Sequence, residues 1–148
     1  MTEISKLVKG LFNADNSLAL QCANRLKDTS LTCSQVYPFF DTFIDMLQSA
    51  NTYVRIRGIM LLAANAQWDN ACKLDTALPL LLNLITDDKP IVARQCIQAL
   101  PAVVQHKPLL KAKIVNALRH ADIKKYKDSM QPLIAKDIQT ALTQIEKL

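Results

Sequence analysis

The sequence predicts an all-α solenoid of about four helix pairs, and three observations carry that prediction. Half of the 148 residues are hydrophobic but only 5% are aromatic, so the apolar content is mostly Leu, Ile, Ala and Val, the residues that pack helices. Two glycines in the whole chain leave little material for hairpin turns or phosphate-cradling loops. One nine-residue string also returns four times: LALQCANRL from Leu18, VRIRGIMLL from Val54, VARQCIQAL from Val92 and IAKDIQTAL from Ile134. Its first position is always Leu, Val or Ile, its fifth is Cys, Gly, Cys or Ile, and its ninth is always Leu. The starts lie 36, 38 and 42 residues apart, the spacing of a helix-pair repeat.

The pairs follow in order within one domain, residues 1–148, as approximate units 1–30, 34–70, 75–106 and 107–148. The first pairs a short helix over 3–12, with Ile4, Leu7, Val8 and Leu11 on one side, with a helix over 16–27. The second opens with Ser34 as N-cap and an apolar face of Val36, Phe39, Phe40, Phe43, Ile44 and Leu47. Its partner helix runs over 52–67 and is closed by Trp68-Asp69-Asn70, with Trp68 expected to bury against the third pair. The third pair starts at a cap by Asp75 and turns at Thr86-Asp87-Asp88-Lys89-Pro90; its second helix repeats Val92, Cys96, Ala99, Leu100 and Val103 on one face. Pro79 follows Asp75 at the offset by which Pro38 follows Ser34, which predicts one shared bent helix start. Pro101 should bend the partner helix. The fourth pair occupies 108–120 and 130–147, joined by the charged connector DIKKYKD. The fifth position of each string must be compact because the paired helix crosses there, and Gly58 would allow the closest approach.

ITDDKPIVARQCIQALPAV, an acidic turn followed by Pro, Val, a basic residue, a small residue and Ala-Leu, resembles the second half of a HEAT repeat. Val54-Arg55 matches that family's Val-Arg pair, whereas Arg94 sits one place later. The chain thus resembles the HEAT and armadillo class, and small stand-alone bacterial HEAT-like proteins in particular. The resemblance implies a right-handed superhelix of eight helices whose second helices line a concave face. Tetratricopeptide repeats fit less well: their Trp-x2-Leu-Gly signature is missing and a period of 42 is too long for them.

Composition bounds the function. The net charge of +5 is unevenly spread, with +1 over residues 1–74 and +4 over residues 75–148. The N-terminus has an early Glu and no long apolar stretch, unlike a signal peptide, and no run approaches the ~18 apolar residues of a membrane span. Cys22, Cys33, Cys72 and Cys96 form no CxxC and have no His at zinc spacing. They read as reduced thiols of a cytoplasmic protein, Cys22 and Cys96 on core faces, with no cofactor or metal expected. No GxSxG, HExxH or Gly-rich phosphate loop is present, and His106 and His120 fall at helix ends, where imidazoles commonly cap carbonyls. The expectation is a non-enzyme.

Two basic features remain. At ~100° per residue, positions three, four and seven of each string point away from the core. Arg57, Arg94 and Lys136 would then form a stepped basic line, flanked by Arg55, Ile56, Met60 and Gln98. Such a line suits carboxylate or carbonyl recognition, hence a protein or peptide partner. An internal pair between Arg94 and Asp137 is the plainer alternative. The second feature spans 107–127, where Lys107, Lys111, Lys113, Arg119, Lys124, Lys125 and Lys127 face the single acid Asp122, with Tyr126 among them able to stack on a base. It gives the second functional reading, nucleic-acid binding. A third is an enzyme or an accessory to cofactor assembly.

Overall fold

The computed structural model describes residues 2–148, and within them the chain forms eight α-helices and no strand. They are α1 (Glu3–Gly10), α2 (Asn16–Ser30), α3 (Phe40–Met46), α4 (Thr52–Asn65), α5 (Lys73–Asn83), α6 (Pro90–His106), α7 (Lys111–Arg119) and α8 (Gln131–Glu146). Short polar side chains start the first ones. Thr2 accepts from the Ser5 amide, Asp15 from the Ser17 and Leu18 amides, and Asn51 from the Tyr53 and Val54 amides.

Two helix starts differ from the sequence expectation. Ser34 caps nothing: a 3-10 turn, Tyr37–Phe39, intervenes and α3 begins at Phe40. Pro38 sits in that turn, where its missing N–H interrupts no α-helical ladder. Nor does Asp75 cap α5, which begins at Lys73; the Lys73 and Leu74 amides instead donate to Asp69 at 3.0 and 2.8 Å. Pro79 lies inside α5, so the two prolines do not mark one shared start. Cys72 turns the chain into α5 with φ at 57°.

The even helices form one layer, with α2 packed on α4, α4 on α6 and α6 on α8. Helices α1, α3 and α7 each pack on the even helix that follows, and α5 meets α6 through its terminal 3-10 turn, Leu84–Thr86. A single apolar core runs between the layers from Val8 and Leu11 to Ile134 and Ile145. The ninth string positions Leu26, Leu62 and Leu100 are fully buried, as are the first positions Val92 and Ile134. Leu18, 46% exposed, and Leu142, partly exposed, are the exceptions. Leu20, on the same helix as Leu18, is likewise exposed.

The fifth positions sit where the paired helices approach. Cys22 lies against Gly10 of α1, Gly58 against Phe43 and Met46 of α3, and the Cys96 thiol donates to the Leu81 carbonyl of α5 at 3.3 Å. The 3-10 turn after α4, Ala66–Trp68, packs on α6, and within it the Trp68 indole N–H donates to the Ser30 carbonyl at 2.8 Å, an oxygen to which Gln67 also donates. The end of α4 thereby satisfies a carbonyl that the end of α2 leaves unpaired.

A Cβ on Gly58 would stand 2.8 Å from Met46 Cβ and 3.1 Å from the Phe43 carbonyl oxygen, both on a helix that cannot yield locally. Gly58→Leu is therefore expected to lose ~1–3 kcal/mol of stability through overpacking, read as a lower denaturant midpoint with an unchanged slope. An unaltered midpoint would refute the close α3–α4 approach.

Candidate functional site

The helical period that buries one face of α4 and α6 leaves another face open. Between α2, α4 and α6 this open face forms a hollow of about 440 Å³, with Met60, Ala63 and Ala64 on one wall and Gln98, Ala99 and Ala102 on the other. Two more hollows adjoin it. One of about 430 Å³ shares Met60 and Gln95 and extends to the first turns of α2, α4 and α6. One of about 370 Å³ shares Gln98 and continues between α6 and α8 past Arg94, Lys136 and Asp137. Together they make one groove along the even helices. Its lining is mostly small, apolar or amide-bearing, with Lys27, Arg57, Arg94, Lys136 and Asp137 as the charged side chains. Leu20, Leu31, Tyr53, Ile91 and Leu133, all exposed, stand along it. A larger hollow, about 740 Å³, opens separately beside α7 and α8; Leu109 there is 94% exposed.

The expected basic line does not form as a row of free cations. Arg57 is only 3% exposed, and its Nε–H donates to the Leu11 carbonyl at 3.0 Å. The residue was expected off the core face, but the turn after α1 closes over it. Arg94 pairs with Asp137 of α8 at 2.6 Å, which accords with the plainer alternative. Arg55 is tied to Asp87 at 2.9 Å and to the Ser49 carbonyl. Only Lys136 stands exposed with no ion pair among the described residues. Ile56, Met60 and Gln98 do line the groove.

The second basic feature is also thinned. Lys107 leaves the surface to bridge Asp69, at 2.8 Å, and Asp75. Tyr126 is buried, its hydroxyl donating to the Asp87 carbonyl, so its ring offers no face to a base. Lys125 holds the Thr86 carbonyl and Asp88. Lys111, Lys113, Lys124 and Lys127 remain exposed, and Arg119 lies 4.0 Å from Glu146. In both features a cation that sequence spacing assigns to solvent finds an acid or a carbonyl on a neighbouring helix.

Asp69 reads in the sequence as part of the turn that closes the second pair. Its side chain is fully buried and accepts from the Lys73 and Leu74 amides, the Lys107 ammonium and the Tyr37 hydroxyl. Burial pushes this carboxyl up, but the hydrogen bonds from Lys107, Tyr37, Leu74 and Lys73 outweigh it and hold the group below the usual carboxylate range. Tyr37 is shifted upward by its own burial and by Asp69. Burial pulls the Lys107 ammonium down, yet its bonds to Asp69 and Asp75 raise it above the ordinary lysine value.

Sequence reasoning also missed most of the groove walls. The nine-residue strings end before Ala63, Ala64, Ala102 and Gln105. Continuing the period three, four and seven places from Met60 and Gln98 reaches all four. Among the described residues no group of three or more His, Cys, Asp or Glu converges as metal ligands would, and no helix is long and apolar enough to cross a membrane.

No family model matches the chain, and no curated protein matches it. A solved structure that resembles it is the crystal structure of an engineered protein, a target of the Northeast Structural Genomics Consortium. The TM-score is 0.60 at 18% identity, over 99% of this chain and 68% of that one. At that identity the likeness concerns the all-helical fold alone.

Lys107→Met would leave the buried Asp69 carboxylate without its cation, and a loss of ~3–5 kcal/mol is expected in denaturant unfolding. The Asp69 contribution also depends on pH. Its folded pKa lies below the unfolded value of ~3.9, so the stabilisation is complete above that value and disappears as pH falls through the folded pKa. The stability advantage of the natural chain over Asp69→Asn should therefore shrink below about pH 4, measured by thermal unfolding from pH 7 to pH 2.5. A constant gap would contradict the buried, ionised carboxylate.

Proposed function

We propose that the chain is a non-catalytic helical-repeat scaffold of the HEAT type, its four helix pairs stacked in a right-handed superhelix, and that it binds an extended segment of a protein partner in the groove of its second helices. The observation that supports this reading is the groove itself. Three hollows share walls along α2, α4, α6 and α8, and the shared walls are Met60, Gln95 and Gln98. An elongated channel suits a chain better than a compact substrate. Side-chain amides can satisfy the backbone N–H and C=O groups of an extended peptide, and the exposed Leu31, Ile91 and Leu133 offer apolar contacts for its side chains. The free state of all four cysteines supports a reducing, cytoplasmic setting.

Nucleic-acid binding has less support. Its stacking residue, Tyr126, is buried, and two of its lysines, Lys107 and Lys125, hold internal oxygens. An enzymatic or cofactor-assembly role has no converging set of titratable side chains in the groove to support it.

The test begins with peptides selected from a random display library on the immobilised protein, with affinity read by fluorescence anisotropy. Met60→Lys, at the wall shared by two hollows, should weaken binding at least about tenfold by putting an ammonium in an apolar contact. Changing Lys111, Lys113 and Lys124 together to Glu should leave affinity within about twofold, and raising salt should do little. Binding that survives Met60→Lys but is lost in the lysine variant would refute the groove as the site.

A further inference from the structure

The end of the groove nearest the helix starts contains a charged group that the fold does not neutralise. The guanidinium of Arg57, almost wholly buried, lines the 430 Å³ hollow. Its Nε–H is used by the Leu11 carbonyl, but among the described residues its terminal nitrogens have no hydrogen-bond partner and no ion pair. This distinguishes it from Arg55, Arg94 and Lys107, each of which meets a carboxylate within 3 Å. No acidic side chain lines the hollow. The neighbouring Asp15 is occupied in capping α2. Burial draws the Arg57 pKa down with no acid nearby to restore it, although the group stays charged at neutral pH.

The surroundings add polar donors; the Asp15 carboxylate offsets the α2 end, whereas α4 and α6 begin without an acid in the first turn. Ser17, Tyr53 and Ile91 belong to the first turns of α2, α4 and α6, so three helix N-termini meet at this hollow. Ser17, Tyr53 and Gln95 supply hydroxyl and amide donors, whereas Leu20, Ile56, Met60 and Ile91 supply apolar walls. The terminal nitrogens of Arg57 are not fully buried: they reach solvent through the hollow, and an anion entering there would meet a cation that little water and no acid yet offsets.

We propose that this hollow is an anion-recognition pocket in which Arg57 receives a carboxylate side chain of the bound peptide, an Asp or Glu flanked by aliphatic residues. A single cation among apolar walls matches a singly charged carboxylate better than a phosphate, which carries nearly two charges and calls for more cations. The hollow opens into the rest of the groove at Met60 and Gln95, so the carboxylate would arrive on a chain lying along it. The inference rests on the reading of the groove as a peptide site, and it sets the specificity of that site.

The experiment uses the full chain and the library-selected peptides. Selected sequences should share an acidic residue, and replacing it by its amide should weaken binding at least about tenfold, the worth of a hydrogen bond to a charged group. Arg57→Gln tests the cation. The Gln amide nitrogen falls where the Arg Nε was and can keep the Leu11 bond while removing the charge. In this variant the acid and amide peptides should bind within about twofold of each other. Ile91→Glu, at a position 49% exposed, puts a carboxylate on the rim without touching the core and should weaken the acidic peptide selectively. It keeps the proposal testable if Arg57→Gln fails to fold. Selected peptides that need Met60 but bind equally as acid and amide would overturn the anion pocket and leave the groove standing. Peptides indifferent to Met60, or no peptides at all, would overturn both. Displacement of the peptide by octanoate at equimolar concentration would show that the pocket takes free carboxylic acids, which overturns the peptide assignment.

Discussion

The buried carboxylate of Asp69 holds the middle of the molecule together. It lies in the link between α4 and α5, yet it gathers groups from three separate parts of the chain: Tyr37 ahead of α3, the first amides of α5, and Lys107 at the end of α6. A buried carboxylate with one missing partner is unfavourable, so these groups must come together in a single arrangement. The consequence reaches the groove. The end of α4 and the end of α6 are fixed relative to each other through Asp69 and Lys107, and the hollow of Met60, Ala63, Gln98 and Ala102 lies between those helices.

A second junction does similar work at the opposite end of α6. The turn carrying Asp87 and Asp88 is gripped from one side by Arg55 and from the other by Lys125 and Tyr126. Burial and the neighbouring Asp87 and Asp88 push the Tyr126 phenol up to about 12, in keeping with a hydroxyl that donates and does not ionise. Four of the cations that give the chain its positive balance, Arg55, Arg94, Lys107 and Lys125, thus join one helix pair to another. What remains along the groove is a partly apolar surface on which Arg57, Lys27 and Lys136 are the cations that meet no carboxylate among the described residues.

The helical character of the chain was legible because it rests on periodicity. The recurring string placed the helix crossings at Cys22, Gly58 and Cys96, where side-chain size alone decides what fits. The helix starts were less legible. Ser34 and Asp75 are good capping residues by type, but caps depend on the local turn, and a proline and a residue at φ 57° redirect it. The charged residues were least legible. Angular position on a helix puts Arg57 in solvent and charge bias puts Lys107 there, and nothing in local spacing reveals that the Leu11 carbonyl or the Asp69 carboxylate comes from another pair to meet them. The Arg94 pair was legible because Asp137 follows, by one place, the string position in the next unit that matches Arg94. Sequence reasoning located the groove through Met60 and Gln98 but missed its walls beyond the ninth string position.

The central claim is that the open face of the even helices is the binding face and that the remaining surface lysines are not. The ε-methyl and amide NMR spectra test it in one titration with a library-selected peptide. Met60 lines the groove, Met46 is buried between α3 and α4, and Lys111, Lys113 and Lys124 are exposed outside the groove. The account predicts a saturable shift of the Met60 methyl and of the Gln95 and Gln98 amides, with Met46 and the lysine amides unmoved. A silent Met60 together with shifts centred on Lys111, Lys113 and Lys124 would contradict it.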